Sequence, residues 1–457
     1  MIPCGLVKSA GKNFMFDYIF SKIKKTIPQK WRDFLESDGF KRYSKNTGWM
    51  FLGRIFSLVL SFFVSVYMAR NLGVEIFGTL NFVISFVSIA GSTFFVIDSI
   101  LIKKIIQEPE NTNKFLGSAL VVKIVNALLA ITTATVASIF FANSQITTIL
   151  VFVFSTFTIF QSFDLIDFYF QAHADVKNVS IASFFTGALS ALVKVIIISL
   201  HVDIFYLLLS YVFDHFMLTI SYIYLYKKYV GKISAWRIDK NTIKNLIIQS
   251  WPFTLSTLAI SIYMRVDQIF LKILLGSKAV GLYVVAVRFS EVWFIISSVI
   301  CGSLLPAILN AQKTSENLFL TRSKRLYSLL FCLSVLICVF IFVSAPFIIN
   351  FLYGVAYVES IGILRIYIWS IIGVFISTAL QQILLAQGKF KTILSLNLIG
   401  MTLSLVLNYL FIPLWGIKGA AIANIFAYTL PVIIILSLNQ NREQRKAFVS
   451  AVLKPLS

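Results

Sequence analysis

Twelve times along this chain a run of about twenty mostly apolar residues ends in a short polar break. Twenty residues of α-helix rise about 30 Å, the thickness of the hydrocarbon core of a bilayer. Lipid offers the backbone no hydrogen-bonding partner, so a chain crosses it as helices or as a closed barrel. Unbroken apolar runs of this length predict helices. They fall at 48–69, 79–98, 116–142, 145–167, 179–200, 204–226, 246–270, 281–306, 326–350, 360–386, 392–412 and 416–438. With 58% of the 457 residues hydrophobic and 13% charged, the expected fold is all-α and polytopic rather than soluble and globular.

The polar breaks set an orientation. With a cytoplasmic N-terminus, thirty of the forty Lys and Arg fall inside, and four, Arg70, Lys272, Lys278 and Lys418, fall outside. Basic loops stay inside. Both termini are therefore expected in the cytoplasm of a bacterial inner membrane, which requires an even number of spans. The net charge of +21 is spread over these loops, which argues for membrane lipids as partners and against nucleic acid. The outer loops are too short for a catalytic domain, so the chain does not read as an enzyme. A membrane polysaccharide polymerase or glycosyltransferase is the weaker alternative for that reason. Cys4, Cys301, Cys332 and Cys338 form no CxxC, and only His173, His201 and His215 accompany them, so no metal, cofactor or disulfide is expected. Residues 1–45 lack the apolar core of a signal peptide. Phe16, Ile19, Phe20, Ile23 and Ile27 share one helical face there, among ten Lys and Arg, which predicts a basic amphipathic helix lying on anionic lipid.

The chain also repeats itself. Trp49 opens a span that closes in Leu72-Gly73 and then Gly78; Trp251 opens one that closes in Leu275-Gly276 and then Gly281. Gly73, Gly78, Gly276 and Gly281 suit tight outward turns with positive φ. Later, Ala172 and Lys177 recur as Ala386 and Lys391. Six spans per half return the chain to the side it started from, so the halves are parallel repeats. They are expected as two six-helix bundles related by a pseudo-two-fold along the membrane normal, with a substrate path between them. The expected organisation is a basic cytoplasmic extension at 1–45, a first bundle at 46–226, a basic cytoplasmic linker at 227–245, a second bundle at 246–438 and a cytoplasmic tail at 439–457.

Six cations are stranded inside the spans: Arg54, Lys123, Lys194, Arg265, Arg288 and Arg365. Each costs roughly 2.5–3.5 kcal/mol at mid-membrane, so a bundle turns such groups toward a wet cavity or an acidic partner. Three spans carry a hydroxyl stripe beside a cation. Ser57, Ser61 and Ser65 follow Arg54; Thr254, Thr257 and Ser261 precede Arg265; Ser183, Thr186 and Ser190 precede Lys194. Steps of three or four put each stripe on one helical face. Asp164, Asp167, Asp267 and Glu291 also lie in or at the ends of spans. Arg288 and Glu291, at i,i+3, can pair, whereas Arg265 and Asp267, at i,i+2, point apart. A cavity holding Arg54, Lys123, Lys194, Arg265 and Arg288 suits an anionic substrate, because guanidinium forks match phosphate. The four carboxylates either neutralise those cations or take a coupling H⁺ or Na⁺.

Asn46-Thr-Gly-Trp-Met-Phe-Leu-Gly-Arg54, followed by Met68-Ala-Arg70-Asn-Leu-Gly73 and Phe77-Gly78, resembles the opening of the polysaccharide flippases of the O-antigen (Wzx) type. Asp164-Leu-Ile-Asp167 with Gln171, Arg265-Val-Asp267, Gly281-Leu-Tyr283, Arg288 and Leu305-Pro306 resemble the same family in order and spacing. The basic extension at 1–45 departs from it. The resemblance implies the MOP transporter fold and alternating access. It implies an undecaprenyl-diphosphate-linked oligosaccharide as substrate, moved from the inner to the outer leaflet, and polymerase and chain-length proteins as partners. It assigns the lumen cations to the diphosphate or to acidic sugars. A multidrug antiporter of the same fold is the alternative; it would want an acid-rich cavity.

Overall fold

The computed structural model describes residues 38–141, 144–438 and 441–453, the side chains of 38–52 and 54 excepted. The amphipathic helix expected around Phe16–Ile27 lies outside the described residues, as does the Arg54 side chain. Every regular element among the described residues is helical.

The first half holds α1 (Asp38–Ser92), α2 (Asp98–Gln107) and α3 (Thr112–Phe141). Its fourth span is broken into α4 (Gln145–Ser155), α5 (Phe157–Gln161), a 3-10 turn and α6 (Leu165–Ala172), before α7 (Lys177–Ser199) and α8 (Ile204–Tyr229). The second half holds α9 (Lys240–Leu275), α10 (Ser277–Glu291), α11 (Phe294–Thr314) and α12 (Glu316–Leu352). Its tenth span is broken into α13 (Ser360–Tyr367) and α14 (Ser370–Ala386), followed by α15 (Phe390–Trp415) and α16 (Ile417–Ser437). Breaks in the fourth and tenth spans recur one half apart. A last helix, α17 (Arg442–Leu453), lies in the segment expected as a plain tail and packs on α12, with Tyr327 edge-on to Phe448.

Ten stretches among the described residues are long and apolar enough to cross a membrane. Two further crossings complete the twelve. α1 is two helices meeting at Gly73, whose φ of 77° and ψ of 168° are not helical, so one apolar stretch supplies two spans. The other is α9, whose 36 residues are long enough to cross but carry more polar groups than the rest. Two six-helix bundles result. Within the first, α7 packs on α1 and α8, and α3 on α4; within the second, α15 and α14 pack on α16, and α15 on α9.

The linker between the halves is tied down rather than loose. Its Arg237 N–H donates to Asn113 O at 3.0 Å, and its backbone crosses α3 so closely that a Cβ on Gly117 would lie 2.4 Å from Arg237 O. Asp239 then caps α9, accepting from Thr242 N at 2.8 Å and Thr242 Oγ1 at 2.7 Å, and meets Lys114 at 3.2 Å.

The two halves meet through the repeated glycine motif. A Cβ on Gly78 would lie 1.9 Å from Ser277 O, and a Cβ on Gly281 would lie 2.0 Å from Val74 O. Gly78 and Gly281 are equivalent positions in the repeat, and so are Val74 and Ser277. The contact is thus reciprocal, as a two-fold requires. Gly73 and Gly276 turn the chain with φ of 77° and 88°, as the motif predicts. The same expectation fails for Gly78 and Gly281. Both are helical, and what needs glycine there is the close approach of the opposite backbone.

Gly78→Ala forces the halves apart at this contact and is expected to cost roughly 1–3 kcal/mol, as overpacking does. A cysteine replacing Thr79 should then be labelled several-fold faster by a membrane-impermeant maleimide; unchanged labelling would show that the contact yields without opening. The Asp239 cap yields a pH dependence. Its hydrogen bonds from the Thr242 hydroxyl and N–H hold the carboxyl below its ordinary value of 3.8. The cap's contribution is therefore complete above that value and lost as pH falls through the lowered one. Thermal unfolding midpoints of the purified protein should fall more steeply from about pH 6 to about pH 3 than those of Asp239→Asn.

Candidate functional site

From the glycine contact a polar seam runs along the second arm of α1. Thr79 Oγ1 donates to Ser277 Oγ at 2.9 Å, Arg288 Nη2 to Asn81 Oδ1 at 2.7 Å, and Ser85 Oγ to Gln268 Oε1 at 2.7 Å. Tyr357 OH adds a bond to Ala69 O at 2.8 Å. These pairs join first-half residues to second-half residues and close the end of the molecule that carries Gly73 and Gly276.

On the basic-loop side of the seam the halves part around a cavity of about 480 Å³. The second arm of α1 forms one wall, from Ile84 to Ser92. Lys123 and Asn126 of α3, and Phe154, Phe157, Thr158 and Gln161 from the broken fourth span, form another. Thr257 and Ser261 of α9 reach it from the second half. The break at α4 and α5 places Phe154 and Phe157 with ring centres 5.0 Å apart, with His215 stacked behind Phe157 at 4.7 Å.

The cations expected in a common cavity are separated by the fold, and each described one has a partner. Lys123 lines the cavity but binds Asp98 at 2.8 Å and lies over the Phe168 ring at 4.8 Å. Lys194 is buried within the first half, paired with Asp214 and 3.8 Å from the Tyr211 ring centre. Arg265 forks onto Glu291, Nη1 to Oε1 and Nη2 to Oε2, both at 3.3 Å. Arg365 bonds Phe342 O at 3.2 Å. The sequence spacing allows Arg288 and Glu291 to pair, but the structure gives Arg288 to Asn81 across the seam and Glu291 to Arg265 on the next helix. Helix-to-helix contacts outcompete the i,i+3 pair because they join α9 to α10 and α10 to α1.

The carboxylates divide as well. Asp267 is fully buried: Tyr283 OH and Asn424 Nδ2 donate to Oδ2 at 2.5 and 2.6 Å, and Gln268 N donates to Oδ1 at 2.7 Å. It binds α9, α10 and α16 together and points away from Arg265, as their spacing predicts. Asp164 lies within electrostatic reach of Lys123, Asp98 and Asp167, and Asp167 accepts from Gln171 at 2.8 Å. Of the hydroxyl stripes, Thr257 and Ser261 line the cavity, while Thr254 accepts from Val96 N at 2.9 Å. The motif reading missed Asn126 and Gln161. They are amides inside predicted spans, and a search for intramembrane amides would have found both.

The two bundles, joined at the reciprocal seam around the cavity, form a fold that solved membrane proteins share. The chain belongs to the polysaccharide biosynthesis protein family, whose profile matches residues 43–312. No curated relative matches the chain by sequence. Among solved structures it is similar to an inward-facing multidrug resistance MATE family transporter of the MOP superfamily, at 11% identity and a TM-score of 0.69, covering 87% of this chain and 96% of that one. It is also similar to the lipid II flippase MurJ in an inward closed conformation, at 16% identity and a TM-score of 0.68, covering 88% and 90%. A MOP superfamily transporter from Pyrococcus furiosus aligns at 13% identity and a TM-score of 0.60, covering 91% and 97%.

Arg265→Ala leaves the partly buried Glu291 without its partner. The expected loss is on the order of 3 kcal/mol, the lower end for a broken buried pair, because Arg265 keeps 29% of its side chain exposed. A lowered unfolding midpoint in detergent checks this, and adding Glu291→Gln should restore most of it. An unchanged midpoint in the single variant would mean the pair is idle.

Proposed function

We propose that the protein is a flippase. It carries undecaprenyl-diphosphate-linked oligosaccharide units, of O-antigen or a similar surface polysaccharide, from the inner to the outer leaflet by alternating access. The observation that carries this reading is the cavity held between two parallel halves, closed on one side by the glycine seam and walled by polar and aromatic groups of the broken fourth span. Membership of the polysaccharide biosynthesis family supports the cargo class. Loading from the basic-loop side, parting of the seam and release at the far side make one cycle. The lipid tail stays in the bilayer while the sugar occupies the cavity. Lys123, on the cavity wall, is the described cation we assign to the diphosphate, and the neighbouring Asp164 and Asp167 are assigned to a coupling H⁺ or Na⁺.

An organic-cation antiporter of the same fold is the second reading. It is favoured by two carboxylates within reach of the Lys123 ammonium, Asp98, which binds it, and Asp164.

Deletion of the gene should abolish surface polysaccharide and accumulate lipid-linked units on the inner leaflet, with both restored by the full chain and by Lys123→Arg but not by Lys123→Ala. Intact polysaccharide in the deletion strain, with a new drug sensitivity, would transfer the assignment to the antiporter.

A further inference from the structure

The cavity has committed its charge and left its neutral polar groups unused. Lys123 is held by Asp98 at 2.8 Å. Asn126 donates its amide N–H to Phe95 O at 2.8 Å, which leaves its carbonyl oxygen buried without a donor. Gln161 is exposed on the cavity wall, and Ser261 faces it from α9. What remains for a ligand is a carbonyl, an amide and hydroxyls, beside the apolar faces of Phe154 and Phe157. A buried carbonyl oxygen without a partner costs about 1–3 kcal/mol, which a ligand donor would recover.

A pyranose ring has the matching chemistry. Its rim carries hydroxyls that both donate and accept, and its faces carry C–H groups that lie on aromatic rings. The volume of about 480 Å³ falls within the roughly 300–1,000 Å³ of small-molecule sites and holds sugar rather than the lipid chain. An acidic sugar is opposed. The cavity's described charged lining is Lys123 and Asp98, already paired with each other, so a further carboxylate would lose its water there and find no free cation in return.

We infer that this cavity is a subsite for an uncharged sugar ring of the transported unit, read by Asn126 and Gln161, and that it discriminates against acidic sugars. The inference rests on the flippase reading above. It narrows the cation-lined lumen that the stranded cations had implied to Lys123, assigned above to the diphosphate, beside a neutral sugar subsite.

The test uses the full chain in proteoliposomes with two probes: undecaprenyl diphosphate carrying a neutral N-acetylglucosamine oligosaccharide, and the same lipid with a terminal glucuronic acid. The neutral probe should cross about tenfold faster, the effect of one unpaired buried group. Gln161→Arg, which adds a counter-charge to the wall, should narrow that gap by speeding the acidic probe. Equal rates, or a faster acidic probe, in the unaltered protein would overturn the subsite while leaving the flippase intact. If neither probe crosses but ethidium does, the flippase reading falls and the subsite with it.

Discussion

The backbone contact at Gly78 and Gly281 is the constraint on which the arrangement of the two halves depends. Inside a bilayer there is no hydrophobic force to press one bundle on another, because lipid tails are as apolar as leucine. Close packing and hydrogen bonds must do it. Glycine at both positions lets a helix rest directly on the opposing chain at Ser277 and Val74. Once the backbones are that close, the short side chains behind them fall into register: Thr79 reaches Ser277, Asn81 reaches Arg288 and Ser85 reaches Gln268. Each of these bonds is individually modest, and water at an opened seam could replace it. A closure built this way holds without being permanent.

The same absence of water governs the charges. A cation inside a span must find a partner, and the fold supplies one for each described case by packing a second helix against it. Asp98 answers Lys123, Asp214 answers Lys194, and Glu291 answers Arg265. Such pairs hold α3 to the start of α2, α7 to α8, and α9 to α10. They also consume the charge that a substrate would otherwise meet. Among the described residues the cavity is therefore less cationic than the count of stranded Lys and Arg implies: Lys123 lines it beside amides, hydroxyls and rings.

Much of this architecture was legible in the sequence. Apolar runs located the spans, with helix ends as much as about ten residues away, as at α12, and the Trp-to-Gly repeat singled out, as turn glycines, two that touch instead. The spans hardest to read were those whose composition and geometry disagree. α9 is polar for a crossing helix because it serves both the cavity, through Thr257 and Ser261, and the buried network around Asp267. The breaks between α4, α5 and α6 carry no Pro or Gly to announce them; Ser155, Thr156, Thr158 and Ser162 there turn their hydroxyls back onto backbone carbonyls. α17 falls in a stretch too polar to read as a span, yet its Ala447 and Ala451 bury against the bundle.

What the sequence determined by itself was the class of solvent, the number of crossings, the parallel repeat and the glycine turns at Gly73 and Gly276. These follow from local quantities: length, hydropathy, loop charge and the presence of glycine. What only the tertiary structure decided was which charge answers which. Arg288 stands three residues from Glu291 in the chain, yet it bonds to Asn81 in the other half. In a medium of low dielectric the partner that wins is the one brought into hydrogen-bonding range by helix packing, and sequence separation does not measure that distance. For the same reason the amides Asn126 and Gln161, unremarkable in the chain, emerged as the open polar groups of the cavity once the charged groups around them were paired.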